Sequence, residues 1–299
     1  MIRLNNISKQ FGSLTAVDGI SLTVNKGEIF GLVGPDGAGK TTTIRMITGL
    51  LDPSGGTLTL LGSQAPETVK GRLGYVPQKF SLYGDLTVME NIRVIGSLYG
   101  ASSARVTELA REILTFTNLL PFQDRLADNL SGGMKQKLAL AAGLMHKPDV
   151  FFLDEPTTGV DPVSRREFWQ MLYRLNKEGM TVFVSTPYMD EAELCSRVAF
   201  MHHGRIISCD SPAALKTAYP FKVLELQAEG KKIKQHLEHC PLRDINAFGG
   251  KYHLITDDPA AAAAAVRSAL GAAEIPVLAL KEIRPTLEDV FVALASEVI

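Results

Sequence analysis

"GPDGAGKT", residues 34–41, is the stretch on which the reading of this chain turns. An apolar run, "EIFGLV", precedes it, and "TTIRMITGL" follows with Ile44, Ile47 and Leu50 spaced to share one side of a helix. Gly34, Gly39, Lys40 and Thr41 satisfy every fixed position of the Gly-x-x-x-x-Gly-Lys-Ser/Thr pattern, and the strand-then-helix context raises it above chance. Glycines let consecutive backbone N–H groups curl around phosphate oxygens, and the helix N-terminus adds partial positive charge facing the anion. Candidate nucleotide contacts are therefore Gly34, Pro35, Asp36, Gly37, Ala38, Gly39, Lys40, Thr41 and Thr42. Lys40 is expected to reach the β- and γ-phosphates, and the Thr41 hydroxyl to ligate Mg²⁺.

A second stretch completes the chemistry. "VFFLDEP", residues 150–156, is an apolar run that ends in two carboxylates, the pattern of a strand buried on both faces of a parallel sheet. Two adjacent buried carboxylates are costly without a cation. Mg²⁺ held by Asp154 and an attacking water polarised by Glu155 give a reason for both.

Bulk properties restrict what else the chain does. With 31 Lys+Arg against 32 Asp+Glu the formal charge is -1, so no global field draws nucleic acid or anionic lipid. The densest basic cluster, Lys231, Lys232 and Lys234, reads as a solvated helix face. Three cysteines without CxxC spacing argue against a disulfide framework or a zinc site and fit a reducing cytosol. The N-terminus lacks the apolar core of a signal peptide. No stretch approaches the ~18–20 apolar residues of a membrane helix, so any membrane role is expected to run through a partner.

At 299 residues the chain is long for one core, since domains run to roughly 100–200 residues. Residues 1–30 read as antiparallel strands leading into a buried strand. Residues 87–118 read as helical, with breaks near Gly96 and Gly100. Further helices are expected after "SGG" at 131–133 and over 162–178, and a strand at "MTVFVST". Alternating strand and helix patterns imply an α/β fold. Near residue 220 the texture changes. Strands at 222–228, 251–256 and 277–282 alternate with helices at 231–239, 259–271 and 286–297, a small α+β domain. The six alanines at 260–265 read as helix, Ala being the best helix former. The expected division is 1–219 and 220–299.

"LSGGMKQKLALA", residues 130–141, together with "GPDGAGKTT", "VPQ" and "FLDEPTTGVDP" in that order, resembles the nucleotide-binding domains of ABC transporters. The resemblance covers roughly residues 1–215. "TTGVDP", "YMDEAE" and the closing "RPTLEDVFVAL" look most like cassettes serving ABC-2-type exporters. It implies a P-loop NTPase fold: a RecA-like core, antiparallel β and helical subdomains, and the C-terminal α+β domain. It implies ATP and Mg²⁺ as ligands and ATP hydrolysis coupled to transport. Phe11 then corresponds to the aromatic that stacks on adenine, with Val17 packed nearby. Gln78 corresponds to the residue that reaches Mg²⁺ and the attacking water, and joins Lys40 and Glu155 as a catalytic candidate. The loop with Phe80, Leu82 and Tyr83 would meet an integral membrane permease. Ser131, Gly132 and Gly133 would grip the γ-phosphate of ATP held by a second cassette, and Asp161 would link the two sites, so a homo- or heterodimer is implied. The location implied is the cytoplasmic face of the inner or plasma membrane, reached through the permease, with no nucleic-acid partner.

Three positions depart from that pattern. Met134 replaces the usual Gln of the signature. Asp36 stands where Asn is usual; pointing outward, it is expected to leave ATP binding intact. Pro187, in "STPYMDEAE" (185–193), stands where the family has a histidine that contacts the γ-phosphate. Proline has neither an ionisable group nor an N–H. A positioned acid or base is worth about 10²–10⁴ in rate, so the expected consequence is slow hydrolysis with binding preserved. Two rival readings stand beside the transporter ATPase. One is a regulatory cassette with little or no hydrolysis, motivated by Pro187. The other is a soluble ABC ATPase acting on ribosomes or DNA, which the single cassette and the lack of sustained heptads disfavour.

Overall fold

The structure, a computed structural model, describes residues 1–99 and 103–297. The chain divides into two compact units, Met1–Ser211 and Pro212–Ile299. In the first, β1 (Ile2–Phe11) and β2 (Leu14–Val24) form an antiparallel hairpin. β3 (Ile29–Val33) is buried at all five residues, the phosphate loop follows, and α1 (Lys40–Ile47) leaves it. β4 (Gly55–Leu60) then returns to pair with β1, completing a three-stranded sheet in the order β2-β1-β4.

After β5 (Leu73–Val76) come α2 (Val88–Leu98), α3 (Ser103–Phe116) and α4 (Gly132–Leu144). The remaining elements of this unit are β6 (Val150–Asp154), α5 (Pro162–Lys177), β7 (Thr181–Thr186), α6 (Met189–Ala192), β8 (Arg197–His202) and β9 (Arg205–Asp210). They complete a six-stranded sheet in the order β5-β6-β7-β3-β8-β9, parallel except for β9. β6 and β7 are buried at every residue, as a parallel strand covered on both faces must be. Phe30, Phe183 and Phe152 pack in a row across β3, β7 and β6, with ring centroids 5.4 and 5.6 Å apart. The carboxyl ends of β3, β7 and β6 lie side by side, the edge at which open α/β sheets bind ligands.

Register fixes what meets there. Asp154 of β6 lies opposite Ser185 of β7, and Ser185 lies opposite Leu32 of β3. Thr186 is opposite Val33, and its carbonyl accepts from Gly34 N (3.3 Å), the first residue of the loop.

Two local expectations change. α2 runs through Gly96 without a break. A side chain there would meet Met145 Cε at 2.8 Å and Val106 Cγ1 at 3.1 Å, so this glycine serves close packing within the helical segment. The expected break at Gly100 lies outside the described residues. α1 ends at Ile47, and Gly49 takes φ 68°, so Leu50 lies beyond the helix and is exposed.

The second unit opens with α7 (Pro212–Ala218), which packs on the last helix. The units therefore part eight residues before the 219/220 division expected from sequence, 219 − 211 = 8. The unit continues as β10 (Lys222–Ala228), α8 (Ile233–His236), β11 (Asp244–Phe248), β12 (Lys251–Thr256), α9 (Pro259–Ala272), β13 (Val277–Ile283) and α10 (Leu287–Glu297). Its sheet is antiparallel in the order β11-β12-β10-β13, the split β-α-β-β-α-β arrangement. Leu224, Leu226 and Leu254 pack with Val266 and Leu270 of α9 in its core. The alanine run is helical, as expected: Pro259 occupies the first turn, and the Asp258 carboxylate accepts from Ala260 N and Ala261 N. β11 was not expected, and α8 is shorter than the 231–239 helix read from the sequence.

Two glycines of the first unit form a tight slot for Phe151. A β-carbon at Gly143 of α4 would sit 2.5 Å from its Cζ, and one at Gly74 of β5 would sit 2.6 Å from its ring. The ring is fully buried and has nowhere to move. Gly143→Ala is expected to destabilise the first unit by about 1–3 kcal/mol through overpacking, despite alanine's helix preference of about 1 kcal/mol. Urea unfolding checks this, and adding Phe151→Leu should recover part of the loss.

Candidate active site

The phosphate loop is wedged between β2 and β8. An added β-carbon would lie 2.1 Å from Met201 O at Gly34 and 2.5 Å from Ala16 O at Gly39, so neither position admits a side chain. Gly39 also takes φ 105° as the residue before α1, a conformation that suits glycine. Pro35, Asp36 and Gly37 are exposed at the loop's crest, so Asp36 faces outward as expected, whereas Ala38 is buried.

Lys40 is 3% exposed. Its ammonium donates to Gly34 O (2.8 Å) and Pro35 O (3.0 Å) and pairs with Glu155 Oε1 at 3.1 Å. Gln78 Nε2 donates to the other carboxylate oxygen, Glu155 Oε2, at 2.9 Å. Both oxygens of the general-base candidate are thus held, one by a charge and one by an amide. Glu155 takes φ 48°, the left-handed region that a residue with a side chain adopts only under constraint. Its backbone N–H donates to Ser185 O and Ser185 Oγ, each at 3.1 Å, which supplies that constraint.

The candidate cation ligands also converge. Thr41 Oγ1 donates to Asp154 Oδ1 at 3.1 Å, and Ser185 Oγ donates to the same oxygen at 2.6 Å. Asp154 is 1% exposed, and its Oδ2 is buried with no hydrogen-bond partner. A buried carboxylate oxygen with no donor is the kind of atom a hard cation satisfies, and the hydroxyl and carboxylate oxygens beside it are the ligands Mg²⁺ prefers. The residues present fit the ion.

The other candidates occupy distinct places. Phe11, at the end of β1, is 48% exposed with the Lys9 ammonium 5.3 Å from its ring centre, while Val17 is fully buried. Ser131 caps α4, its hydroxyl accepting from Met134 N at 3.3 Å. Gly132 and Gly133 lie against the Gly159–Ser164 segment; a side chain at Gly133 would meet Ser164 Cβ at 2.5 Å. Asp161 caps α5, accepting from Val163 N (3.1 Å) and Ser164 N (2.9 Å). Hydrogen bonds from Ser164, led by its hydroxyl, hold the exposed Asp161 carboxyl below the usual aspartate range. Pro187 directly follows Thr186, beside the point where β7 meets the phosphate loop.

Ser185 was not singled out from sequence, yet it touches both carboxylate residues. The available signal was polarity: "VFVST" is an apolar strand whose last two residues are hydroxylic.

The ABC transporter family profile matches residues 17–158. The chain is 40% identical over 302 residues to the probable multidrug ABC transporter ATP-binding protein YbhF of Escherichia coli (strain K12), a match covering 98% of this chain and 52% of YbhF. It therefore spans about half the length of that relative. It is 43% identical over 218 residues to the Nod factor export ATP-binding protein I of Paraburkholderia xenovorans (strain LB400), covering 72% of each. Among solved structures, a dimeric ATP-binding cassette in a post-hydrolysis state with ADP and Pi superposes with a TM-score of 0.66 at 26% identity, covering 71% of this chain and 98% of that one.

The Ser185 contacts make a direct expectation. Ser185→Ala removes the 2.6 Å bond to Asp154 and one of two acceptors for Glu155 N. Leaving that buried carboxylate short of a donor is expected to lower stability by about 1–3 kcal/mol, read as a fall in the denaturation midpoint. Added Mg²⁺ and ATP should raise the midpoints of both chains, since ligand that binds only the folded state stabilises it.

Proposed function

The chain belongs to the ATP-binding cassettes of ABC transporters, and from that premise we propose that it binds and hydrolyses MgATP as the ATPase subunit of an exporter, acting on a separate membrane permease. One observation carries the reading: Lys40, Glu155, Gln78, Thr41 and Asp154 converge at the carboxyl ends of β3 and β6 through contacts of 2.9–3.1 Å. Lys40 binds the terminal phosphates, and Phe11 stacks on the base, with Val17 packed nearby. Asp154, Thr41 and Gln78 would hold Mg²⁺, which when bound neutralises charge on the phosphates. Glu155, held at both oxygens, orients the attacking water and takes its proton.

The names of the relatives support export, since one concerns multidrug transport and the other Nod factor export. No helix among the described residues is long and apolar enough to cross a membrane, which accords with a permease on another polypeptide and attachment at the cytoplasmic face through it. Dimerisation accords with the dimeric cassette that superposes on this chain. Ser131, Gly132, Gly133 and Asp161 would then complete the site of the facing cassette. The permease is of the ABC-2 type on the sequence resemblance. The accessory unit, which begins at residue 212 in the structure, carries none of these candidate residues.

A second reading, a cassette that binds ATP and hydrolyses little, is favoured by Pro187 alone. Steady-state phosphate release separates the two. Glu155→Gln is expected to lower turnover about 10²–10⁴-fold while retaining MgATP binding. A wild-type rate already at the Glu155→Gln level supports the regulatory reading. Pro187→His, assayed in the assembled transporter, is expected to raise kcat at least several-fold. No gain beside brisk wild-type turnover removes the slow-site idea.

A further inference from the structure

Glu191 of α6, at 1% exposure, is a deeply buried carboxylate outside the set of residues just described. A carboxylate is kept away from water only where donors compensate its lost hydration, and its partners are informative. Glu191 Oε1 accepts from the Thr157 hydroxyl, and Oε2 accepts from the Thr186 hydroxyl at 2.7 Å. Arg165 Nε, on α5, lies 3.5 Å from Oε1. Thr157 and Thr186 are themselves 1% and 0% exposed.

The two threonines belong to the two backbones that matter most here. Thr157 lies in the turn just after Glu155, where Thr158 N donates to Glu155 O and Val160 N to Thr157 O. Thr186 ends β7 and holds Gly34 N through its carbonyl. Its hydroxyl also accepts from Tyr188 N at 3.1 Å, so hydrogen bonds brace the chain on both sides of Pro187. Glu155 sits at φ 48°, and such a conformation persists only when its surroundings over-determine it.

We propose that Glu191 is a positioning residue for hydrolysis: by bridging Thr157 and Thr186 it ties the turn that carries Glu155 to the strand end that borders the phosphate loop. It touches neither phosphate nor water and acts through those two hydroxyls. In a cassette with proline at position 187, this bridge registers the base against the loop from the protein side. The inference rests on the ATPase reading above.

The test compares Glu191→Ala, Glu191→Gln and the near-isosteric Thr157→Val in the full chain. Three quantities are measured: MgATP affinity, steady-state phosphate release, and amide hydrogen exchange at Thr158 and Val160. Glu191→Ala is expected to lower kcat about 100-fold, the effect of a reacting group displaced by about 1 Å. MgATP affinity should stay within about 3-fold, the signature of a contact that serves the transition state and not binding. Exchange should quicken at Thr158 and Val160 and stay slow in β3 and β6. Glu191→Gln, which keeps an acceptor and the side chain's shape, should restore most of kcat. Adding Thr157→Val to Glu191→Ala should cost little more, because both cut the same bridge. Unchanged kcat in Glu191→Ala overturns the proposal. So does a joint loss of affinity and kcat with exchange rising throughout the sheet, which marks a purely structural role. If Glu191→Ala does not fold, Thr157→Val decides by the same criteria. A wild-type chain that binds MgATP without turnover overturns the ATPase reading instead, and the exchange pattern alone then decides whether the bridge exists.

Discussion

Lys40 carries a full positive charge at a position 3% exposed to solvent, and the first unit is organised around satisfying it. Taking an ammonium out of water costs several kcal/mol even after relaxation. Two loop carbonyls and the Glu155 carboxylate offset that cost. Glu155 in turn needs its own support, because its carboxylate is buried and its backbone is left-handed. Ser185 supplies it from β7, and Gln78 from the segment after β5. Removing Lys40 would leave a buried carboxylate facing two carbonyl oxygens, so binding and folding are coupled at this residue.

β7 is the mediator between the two carboxylate-bearing and phosphate-facing strands. β3 and β6 are not neighbours in the sheet; β7 lies between them. Beside the direct Thr41–Asp154 bond, the loop and Asp154 are therefore linked across one intervening strand, through Ser185 and Thr186 at its end. That accounts for the hydroxylic residues that follow the apolar Val182–Val184 in this strand. It also places Pro187 in context: the position lies directly beyond the two residues that hold the loop and the carboxylates.

Much of this was legible in the linear chain because it depends on short spacing. Gly34 to Thr41 and Asp154–Glu155 are local patterns, and the continuous burial of β3, β6 and β7 follows from uninterrupted apolar runs. The alanine run was readable as helix from propensity. Misreadings came where a distant contact decides. Gly96 looked like a helix breaker, yet Met145 and Val106 press on it and α2 passes through. Leu50 kept the helical spacing, but Gly49 had already ended the helix. β11 has a weak alternation of its own and is a strand because β12 pairs with it. Ser185 and Glu191 stand close to motif residues in sequence, but their partners Asp154 and Thr157 lie 31 and 34 positions away.

The sequence by itself determined which groups are available to the proposed chemistry: a glycine-rich loop, a lysine at its end, a hydroxyl beside it, and two adjacent carboxylates after an apolar run. Each follows from residue type and short-range spacing, which the chain carries regardless of how it folds. Only the tertiary structure decided which oxygen faces which donor. That depends on register, since a shift of one residue in β7 would turn Ser185 away from Asp154 and Thr186 away from the loop. It depends on strand order, which inserts β7 between β3 and β6. And it depends on burial, which makes ordinary hydroxyls at 157, 185 and 186 donors that help hold the Asp154 and Glu191 carboxylates in place.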